Sequence, residues 1–242
     1  MELNKIYNED CIDGMKKLLE LNGEGWVDLI ITSPPYNLGG SFHTGNNRMK
    51  AYDTHDDNFP EDEYQKNQVE VLNLCHKLLK ENGSMFYNHK PRIKQGISIH
   101  PLEWVLDSDF ILKQEIIWRN GSQNFDKIRF YPMTERIYWL TKNSETKLYN
   151  EIGFSDVWEF KNAKRHNEHN ATFPIDLPLS IISCFEDSQT IFDPYMGIGT
   201  TAIASAKMKK DYIGFELSEK YYEISLKRIE EETAQTNIFD FI

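Results

Sequence analysis

The first third of the chain alternates two patterns of apolar residues. Residues 27–31 (Val-Asp-Leu-Ile-Ile) form a short, nearly continuous apolar run, which is typical of a buried strand. Residues 61–80 instead carry apolar side chains at every third or fourth position, so they predict a helix that ends before Asn82-Gly83. Residues 84–87 (Ser-Met-Phe-Tyr) predict the next strand. Together these segments predict a β-α-β unit.

The same alternation continues towards the C-terminus. Two strands are predicted at 110–118 and 136–140, joined by a long hairpin loop over 120–132. The last third predicts a helix that closes at 181–185, a strand at 189–192, a helix at 200–209, a strand at 212–215 and a helix at 219–232. Such alternation is the pattern of a mostly parallel sheet with helices on both faces. We therefore predict one α/β domain over residues 1–242.

Charge and cysteine content narrow the possible functions. The net charge is −11, which counts against a polyanion as partner because basic side chains drive that binding. Residues 89–94 and 161–166 are locally basic, so a basic cleft on an acidic body stays open. Cys11, Cys75 and Cys184 lack the spacing of a disulfide framework or a zinc site. With neither a signal peptide nor an apolar run long enough for a membrane, the expected location is the cytoplasm.

A glycine motif lies between a predicted strand and a predicted helix. Residues 193–201 read Asp-Pro-Tyr-Met-Gly-Ile-Gly-Thr-Thr, in which Gly197 and Gly199 would let the backbone turn tightly and approach a ligand. Glu216 ends the next strand, where a carboxylate can accept hydrogen bonds from ribose hydroxyls. The motif predicts a nucleoside cofactor. With Ala202 it also fits a loose dinucleotide pattern, so a nicotinamide-dependent enzyme or a plain strand-to-helix turn is the alternative.

A second motif, Thr-Ser-Pro-Pro-Tyr-Asn at 32–37, follows the predicted strand 27–31, at the edge where ligand crevices form in α/β sheets. The two prolines stiffen the backbone and present the Ser33 hydroxyl and the Pro34 carbonyl as fixed acceptors beside Tyr36. Two acceptors can draw the hydrogens of an exocyclic amino group out of its ring plane and localise the nitrogen lone pair for attack. Tyr36 would stack on the planar ring that carries this amino group. A Pro-Pro turn with a surface tyrosine is the alternative.

These two motifs, in this order, resemble those of the amino-methylating DNA methyltransferases of the beta class. The resemblance extends over nearly the whole chain. It implies a Rossmann-like methyltransferase domain with a circularly permuted motif order and an antiparallel strand in the C-terminal half, and S-adenosylmethionine as cofactor. It also implies four catalytic residues: Ser33, Pro34, Pro35 and Tyr36.

The resemblance further implies a set of cofactor-binding residues. Residues 8–11 resemble the segment whose acidic residue binds the adenine of the cofactor, and residues 169–178 resemble the segment that packs over its methionine end. Residues 135–142 resemble a late strand of the catalytic half. The implied cofactor-binding residues are Asp10, Cys11, Thr172, Phe173, Asp193, Pro194, Tyr195, Gly197, Gly199, Thr200, Thr201 and Glu216.

The residue before the two prolines bears on the target base. In the family that the chain resembles, Ser-Pro-Pro-Tyr is commonest in enzymes that methylate cytosine N4, whereas Asp or Asn in place of Ser is commonest for adenine N6. We expect a flipped cytosine in DNA as target, with adenine as the alternative. A cytosine C5 enzyme is disfavoured because none of the cysteines follows a proline. No metal is needed. An RNA or protein-glutamine methyltransferase and an inactive DNA-binding module are further alternatives.

Four segments have no role in either motif. Residues 39–60 and 120–132 are candidate DNA-contacting loops, and a solvated loop is the alternative for each. Residues 143–170 are a candidate recognition or linker segment, short enough to suggest a short site or help from a homodimer or a restriction-modification partner subunit. Residues 235–242 form an apolar ending that we expect to fold back onto the core. The expected setting is a restriction-modification or phage system.

Overall fold

The structure, a computed structural model, describes residues 1–38, 42–44, 47–49, 58–121, 128–148, 153–160 and 173–239. Thr172, most of the loop 39–60 and the end of the segment 235–242 lie outside the described residues. No helix of the described part combines the length and the apolar character needed to cross a bilayer.

Twelve strands and six helices are described. The strands are β1 (Lys5–Tyr7), β2 (Val27–Thr32), β3 (Phe42–Thr44), β4 (Asn47–Met49), β5 (Leu79–His89), β6 (Arg92–Lys94), β7 (Ile97–Ile99), β8 (Ile111–Arg119), β9 (Thr134–Thr141), β10 (Val157–Trp158), β11 (Thr190–Asp193) and β12 (Asp211–Phe215). The helices are α1 (Cys11–Asn22), α2 (Glu61–Leu78), α3 (Leu102–Val105), α4 (Asp176–Ser183), α5 (Thr200–Lys207) and α6 (Glu219–Phe239).

Eight of the strands form one sheet in the order β1-β12-β11-β2-β5-β9-β8-β10. Strand β9 runs antiparallel to both of its neighbours, whereas the other described pairs of this sheet are parallel. The predicted fold, a mostly parallel sheet with an antiparallel strand in the second half of the chain, is confirmed. Strands β2 and β11 are neighbours in the centre, so the ends of the two strands that precede the two motifs lie side by side.

Helices cover both faces because successive side chains of the strands point in opposite directions. Along β2, Ile30 packs with α1 and α2, whereas Leu29 and Ile31 pack with α4 and α5. Two buried apolar clusters result, one on each face of the sheet. The sheet is therefore held rigidly between two layers, and its C-terminal edge provides a fixed platform for loops.

The junction between α2 and β5 differs from the predicted one. The helix ends at Leu78, and β5 begins at the next residue, so Asn82-Gly83 lies inside the strand instead of between helix and strand. The register with β2 shifts here, since Val27 pairs with Leu79 but Leu29 with Ser84. A Cβ on Gly83 would come within 2.7 Å of the Leu79 side chain. The glycine thus permits a bulge, and it does not end the helix.

Other observed boundaries also differ from the predicted ones. Helix α6 continues to Phe239, seven residues past the predicted end at 232, so the predicted separate ending at 235–242 is helical in its described part. Within the segment 143–170, β10 pairs with β8 and extends the sheet. Helix α1 and the exposed hairpin of β6 and β7 were not predicted.

Candidate active site

One cavity of about 460 Å³ lies at the C-terminal edge of the central strands. The Ser-Pro-Pro-Tyr segment and the glycine motif, some 160 positions apart in the sequence, both line it. The expected site residues that line it are Asp10, Cys11, Ser33, Pro35, Tyr36, Phe173, Pro194, Tyr195, Gly197, Thr200 and Glu216. Four others do not: Pro34, Asp193, Gly199 and Thr201. The volume is in the range of pockets that hold a small molecule.

The glycine motif forms a tight turn between β11 and α5. Gly197 and Gly199 have φ values of 56° and 83°, in the left-handed region that favours glycine. Gly199 is the residue before the helix, and a Cβ on it would come within 3.1 Å of the Ser225 side chain on α6. Gly199 is thus required for the turn and the packing of α6, while Gly197 faces the cavity.

The beginning of α5 lines the cavity through Thr200. No side chain caps the first turn of the helix. The Thr200 hydroxyl oxygen is enclosed and has no hydrogen-bond partner within the described part of the chain, so it does not itself open onto the cavity. The amide groups of the helix start fit a carboxylate of a bound molecule.

Glu216 follows β12 and lines the cavity from the other side of the turn. One of its carboxylate oxygens accepts a hydrogen bond from the Gly197 amide and the other from the Ser218 amide, both at 2.8 Å. Burial raises the pKa of Glu216 to about 6. Each carboxylate oxygen can accept a further bond. A pair of vicinal hydroxyls, as in a ribose, fits this arrangement.

Asp193 has a different position from the one expected for a cofactor ligand. It is 1% exposed, and its carboxylate accepts hydrogen bonds from the Thr32 hydroxyl, the Thr201 hydroxyl and the Tyr195 amide, at 2.7, 2.7 and 3.0 Å. Burial raises its pKa to about 6. Asp193 and Thr201 therefore lie behind the cavity wall, where they fasten β2 to the start of α5.

The start of α1 forms a further part of the wall. Oδ1 of Asp10 accepts hydrogen bonds from the Ile12 and Asp13 amides at 2.9 and 3.2 Å, so Asp10 is the N-cap of the helix. The sequence carries this signal in Asp10 and in Gly23, which ends the helix with φ 76°. Burial raises the pKa of the Cys11 thiol to about 12, so this cysteine stays protonated.

The Ser-Pro-Pro-Tyr segment is held by a hydroxyl network. The Tyr36 hydroxyl lies 3.0 Å from Ser33 Oγ and 2.9 Å from Oδ1 of Asn88 at the end of β5. It also lies 2.9 Å from Oε2 of Glu135 on β9. Asn88 and Glu135 were not among the expected site residues. Their signal in the sequence is weak, since it consists of a polar residue at the end of an apolar run.

The aromatic ring of Tyr36 is largely enclosed, at 8% exposure. Its centroid lies 4.4 Å from that of the His89 ring, with an interplanar angle of 34°. The Lys90 ammonium lies 5.4 Å from the Tyr36 centroid. One face of the ring therefore packs on His89, and the Lys90 ammonium lies close to the same ring.

The Pro35 carbonyl is also held by a residue that is distant in the sequence. It accepts a hydrogen bond from the Tyr64 hydroxyl at 2.7 Å, and that hydroxyl lies 2.8 Å from Nε2 of His89. The Lys90 amide donates to Nδ1 of His89 at 2.8 Å. Because the Tyr64 proton goes to the Pro35 carbonyl, Nε2 of His89 is the donor to the Tyr64 oxygen. Burial holds the pKa of His89 well below its usual range, which keeps the ring neutral.

Comparison with known proteins identifies the family. The family model for N6/N4 DNA methylases, described as DNA methylase, matches residues 27–227. The chain belongs to this family. Its members use S-adenosylmethionine, so this methylase takes that compound as its cofactor. The uncapped start of α5 and the carboxylate of Glu216 fit the carboxylate and ribose of that molecule.

Two curated methyltransferases align with this methylase over most of its length. The type II methyltransferase M.BglII from Bacillus subtilis is 27% identical, over 98% of this chain and 72% of the relative. M.HinfI from Haemophilus influenzae is 26% identical, over 95% and 69%. The chain is thus a DNA methyltransferase similar to those of type II restriction-modification systems.

Two solved structures share the fold. The PvuII DNA methyltransferase, named as cytosine-N4-specific, superposes with a TM-score of 0.73 at 19% identity and covers 96% of this chain and 91% of its own. The M1.HpyAVI-SAM complex superposes with a TM-score of 0.66 at 23% identity, covering 93% and 98%. At these identities the likeness shows the fold alone.

Proposed function

We propose that this methylase transfers the methyl group of S-adenosylmethionine to the exocyclic N4 amino group of a flipped cytosine in DNA. One observation carries the proposal: Ser33 lines the cavity and its Oγ is held by Tyr36, at the end of a strand beside the glycine turn. An amino group offers hydrogens, and Ser33 Oγ is an acceptor for one of them. The cytosine-N4 specificity in the name of the PvuII enzyme is consistent with cytosine as target.

The cofactor is assigned to the wall formed by α1, the glycine turn and β12. Glu216 would accept the ribose hydroxyls, and the carboxylate of Asp10 would accept the adenine amino group. The start of α5 would bind the carboxylate, and Phe173 would pack over the methionine end. When bound, the cofactor supplies a methyl group on a sulfonium, which is a good leaving group. The protein's part is to hold the two reactants in line and to exclude water.

DNA is assigned to the sheet edge that carries Glu135. Immediately before β9, Ile128 and Phe130 are 92% and 102% exposed, an unusual exposure for large apolar side chains. They lie within the candidate loop 120–132 and close in sequence to Arg129. A flipped nucleotide leaves a gap in the base stack, and apolar side chains with nearby cations suit such a surface. The loop 39–60 is proposed as a second contact.

The test is the identity of the labelled base. The protein is incubated with tritiated S-adenosylmethionine and double-stranded DNA, and the DNA is digested to nucleosides. We expect label in N4-methyl-2′-deoxycytidine. Label in N6-methyladenine would show that adenine is the target base, and the protein would still be a DNA amino-methyltransferase. Label in an RNA sample or in a protein, with none in DNA, would overturn the substrate.

A further inference from the structure

Among the residues that the structure describes, three oxygen atoms lie within hydrogen-bond distance of the Tyr36 hydroxyl. They are Ser33 Oγ at 3.0 Å, Asn88 Oδ1 at 2.9 Å and Glu135 Oε2 at 2.9 Å. A tyrosine hydroxyl has one proton to donate, and its oxygen can accept. The direction of each bond therefore depends on which neighbours have a proton to give.

Two of the neighbours are acceptors. The amide of Asn88 is oriented by its nitrogen, which donates to the Arg136 carbonyl at 3.0 Å, so its oxygen faces Tyr36. The carboxylate of Glu135 accepts from the Asn120 amide at 3.0 Å through its other oxygen. The single Tyr36 proton thus goes to one of these acceptors, and the charged carboxylate is the stronger.

The Ser33–Tyr36 contact is then possible in only one direction. Because the Tyr36 proton is engaged, Ser33 must donate its own proton to Tyr36 Oη. The Ser33 lone pairs are left to accept from a group in the cavity. This direction holds whichever of the two acceptors takes the Tyr36 proton.

We propose that Ser33, Tyr36 and Glu135 form a proton relay that removes the proton lost by the target amino group. The relay rests on the proposed transfer to an amino group. Glu135 does not line the cavity, so it acts through Tyr36 as a positioning residue and as the final proton acceptor. Asn120 holds the Glu135 end of the relay in place, and Asn88 holds Tyr36 in its middle.

The step balances in atoms and charge. The amino nitrogen gains a carbon and becomes a cationic, strongly acidic group that must lose one proton. Its N–H bond breaks as an O–H bond forms on Ser33, the Ser33 proton passes to Tyr36, and the Tyr36 proton passes to the Glu135 carboxylate. Each oxygen gains one proton and gives one up, except Glu135, which ends neutral. Glu135 is half-buried, so it can return the proton to water between turnovers.

The first test is Glu135→Gln, which keeps the side-chain shape and removes the proton acceptor. We expect the single-turnover rate constant of methyl transfer to fall on the order of 10²-fold, the usual size of a general-base contribution. The affinity for S-adenosylmethionine and the Tm should stay unchanged. Glu231→Gln is the matched control: it removes a carboxylate that is 60% exposed and pairs with Lys227 on α6. It should transfer methyl at the wild-type rate.

Two further variants separate the relay from a structural role. Tyr36→Phe removes the middle of the relay, so it should lose as much rate as Glu135→Gln, and combining the two should add no further loss. Asn88→Asp places a carboxylate on the other side of the Tyr36 hydroxyl. Added to Glu135→Gln, it should restore at least about a tenth of the wild-type rate, a recovery that the chemistry of a general base predicts and packing does not.

The relay is refuted if Glu135→Gln transfers methyl at the wild-type rate, or if the losses of Tyr36→Phe and Glu135→Gln multiply in the double variant. Should Glu135→Gln fail to fold, Tyr36→Phe decides, since a wild-type rate there also excludes the relay. Failure of the wild-type protein to label DNA would instead overturn the proposed function, and the relay with it. Label on adenine keeps the relay, because that amino group also loses a proton.

Discussion

The two walls of the cavity are built by different means. The cofactor wall consists mainly of a backbone turn, in which two glycines, the start of α5 and one carboxylate lie within about twenty residues. The base wall is a four-residue segment held by side chains from α2, β5 and β9, up to 99 positions away in the sequence. Substitutions should therefore affect binding at the first wall and the rate of chemistry at the second.

The largest effect is expected at the base wall. Ser33→Ala removes the acceptor for the target amino group, so the rate constant of methyl transfer should fall by about 10²- to 10³-fold, the usual loss for one preorganised hydrogen bond at a reacting group. Affinity for the cofactor should be unchanged in titration calorimetry. Ser183→Ala, at a half-buried serine on α4, is the control. Loss of cofactor affinity in Ser33→Ala would contradict the claim that one wall determines binding and the other the rate of chemistry.

The buried carboxylate of Asp193 supports both walls, and its contribution can be tested through the pH dependence of the unfolding free energy. Burial raises its pKa from 3.8 to about 6, so the folded protein holds the proton more tightly than the unfolded chain. The stability that this carboxyl contributes is fully present below pH 3.8 and is lost as the pH rises through about 6. Between those limits the wild type should lose up to about 3 kcal/mol more unfolding free energy than Asp193→Asn.

This difference is measured by urea unfolding at about pH 4 and about pH 7. Asp187→Asn, at an exposed carboxylate outside the network, should follow the wild type. Parallel pH profiles for Asp193→Asn and the wild type would show that Asp193 is not desolvated as the structure indicates.

Glu216→Gln tests the cofactor wall. One of the two amides that donate to Glu216 loses its acceptor, and the contact with the ribose weakens. Affinity for S-adenosylmethionine should fall by about tenfold to a hundredfold, since a hydrogen bond to a charged group contributes about 1.5 to 3 kcal/mol. At saturating cofactor the single-turnover rate should be near that of the wild type. Glu219→Gln, exposed at the start of α6, is the control, and a slow rate at saturation would contradict the assignment.

The smallest effect is expected outside both walls. Phe130→Ala should weaken DNA binding about three- to tenfold without changing cofactor affinity or Tm, because an exposed side chain contributes little to folding and modestly to an interface. Leu226→Ala, 44% exposed on α6, should bind DNA as the wild type does. Unchanged DNA affinity in Phe130→Ala would show that the segment before β9 does not contact DNA.

The sequence was informative where a structure depends on neighbouring residues. The strands at 27–31 and 212–215 and the glycine turn are local patterns that the fold contains, and Gly197 and Glu216 line the cavity. The support of the Ser-Pro-Pro-Tyr segment comes from Tyr64, Asn88 and Glu135, which only the fold brings together, so no local pattern indicates them. Asp193 belongs to a motif that faces the cavity, but its own side chain points inward because two threonine hydroxyls satisfy it there.

The Asp193 carboxylate joins the residue that precedes Ser33 to the residue that follows Thr200. In the proposed assignment, the methyl donor on one side and the acceptor base on the other are both positioned by this one buried carboxylate. Their separation is set once, when the chain folds, and does not have to be found again at each turnover. An enzyme that moves a single carbon between two bulky ligands gains its alignment in advance.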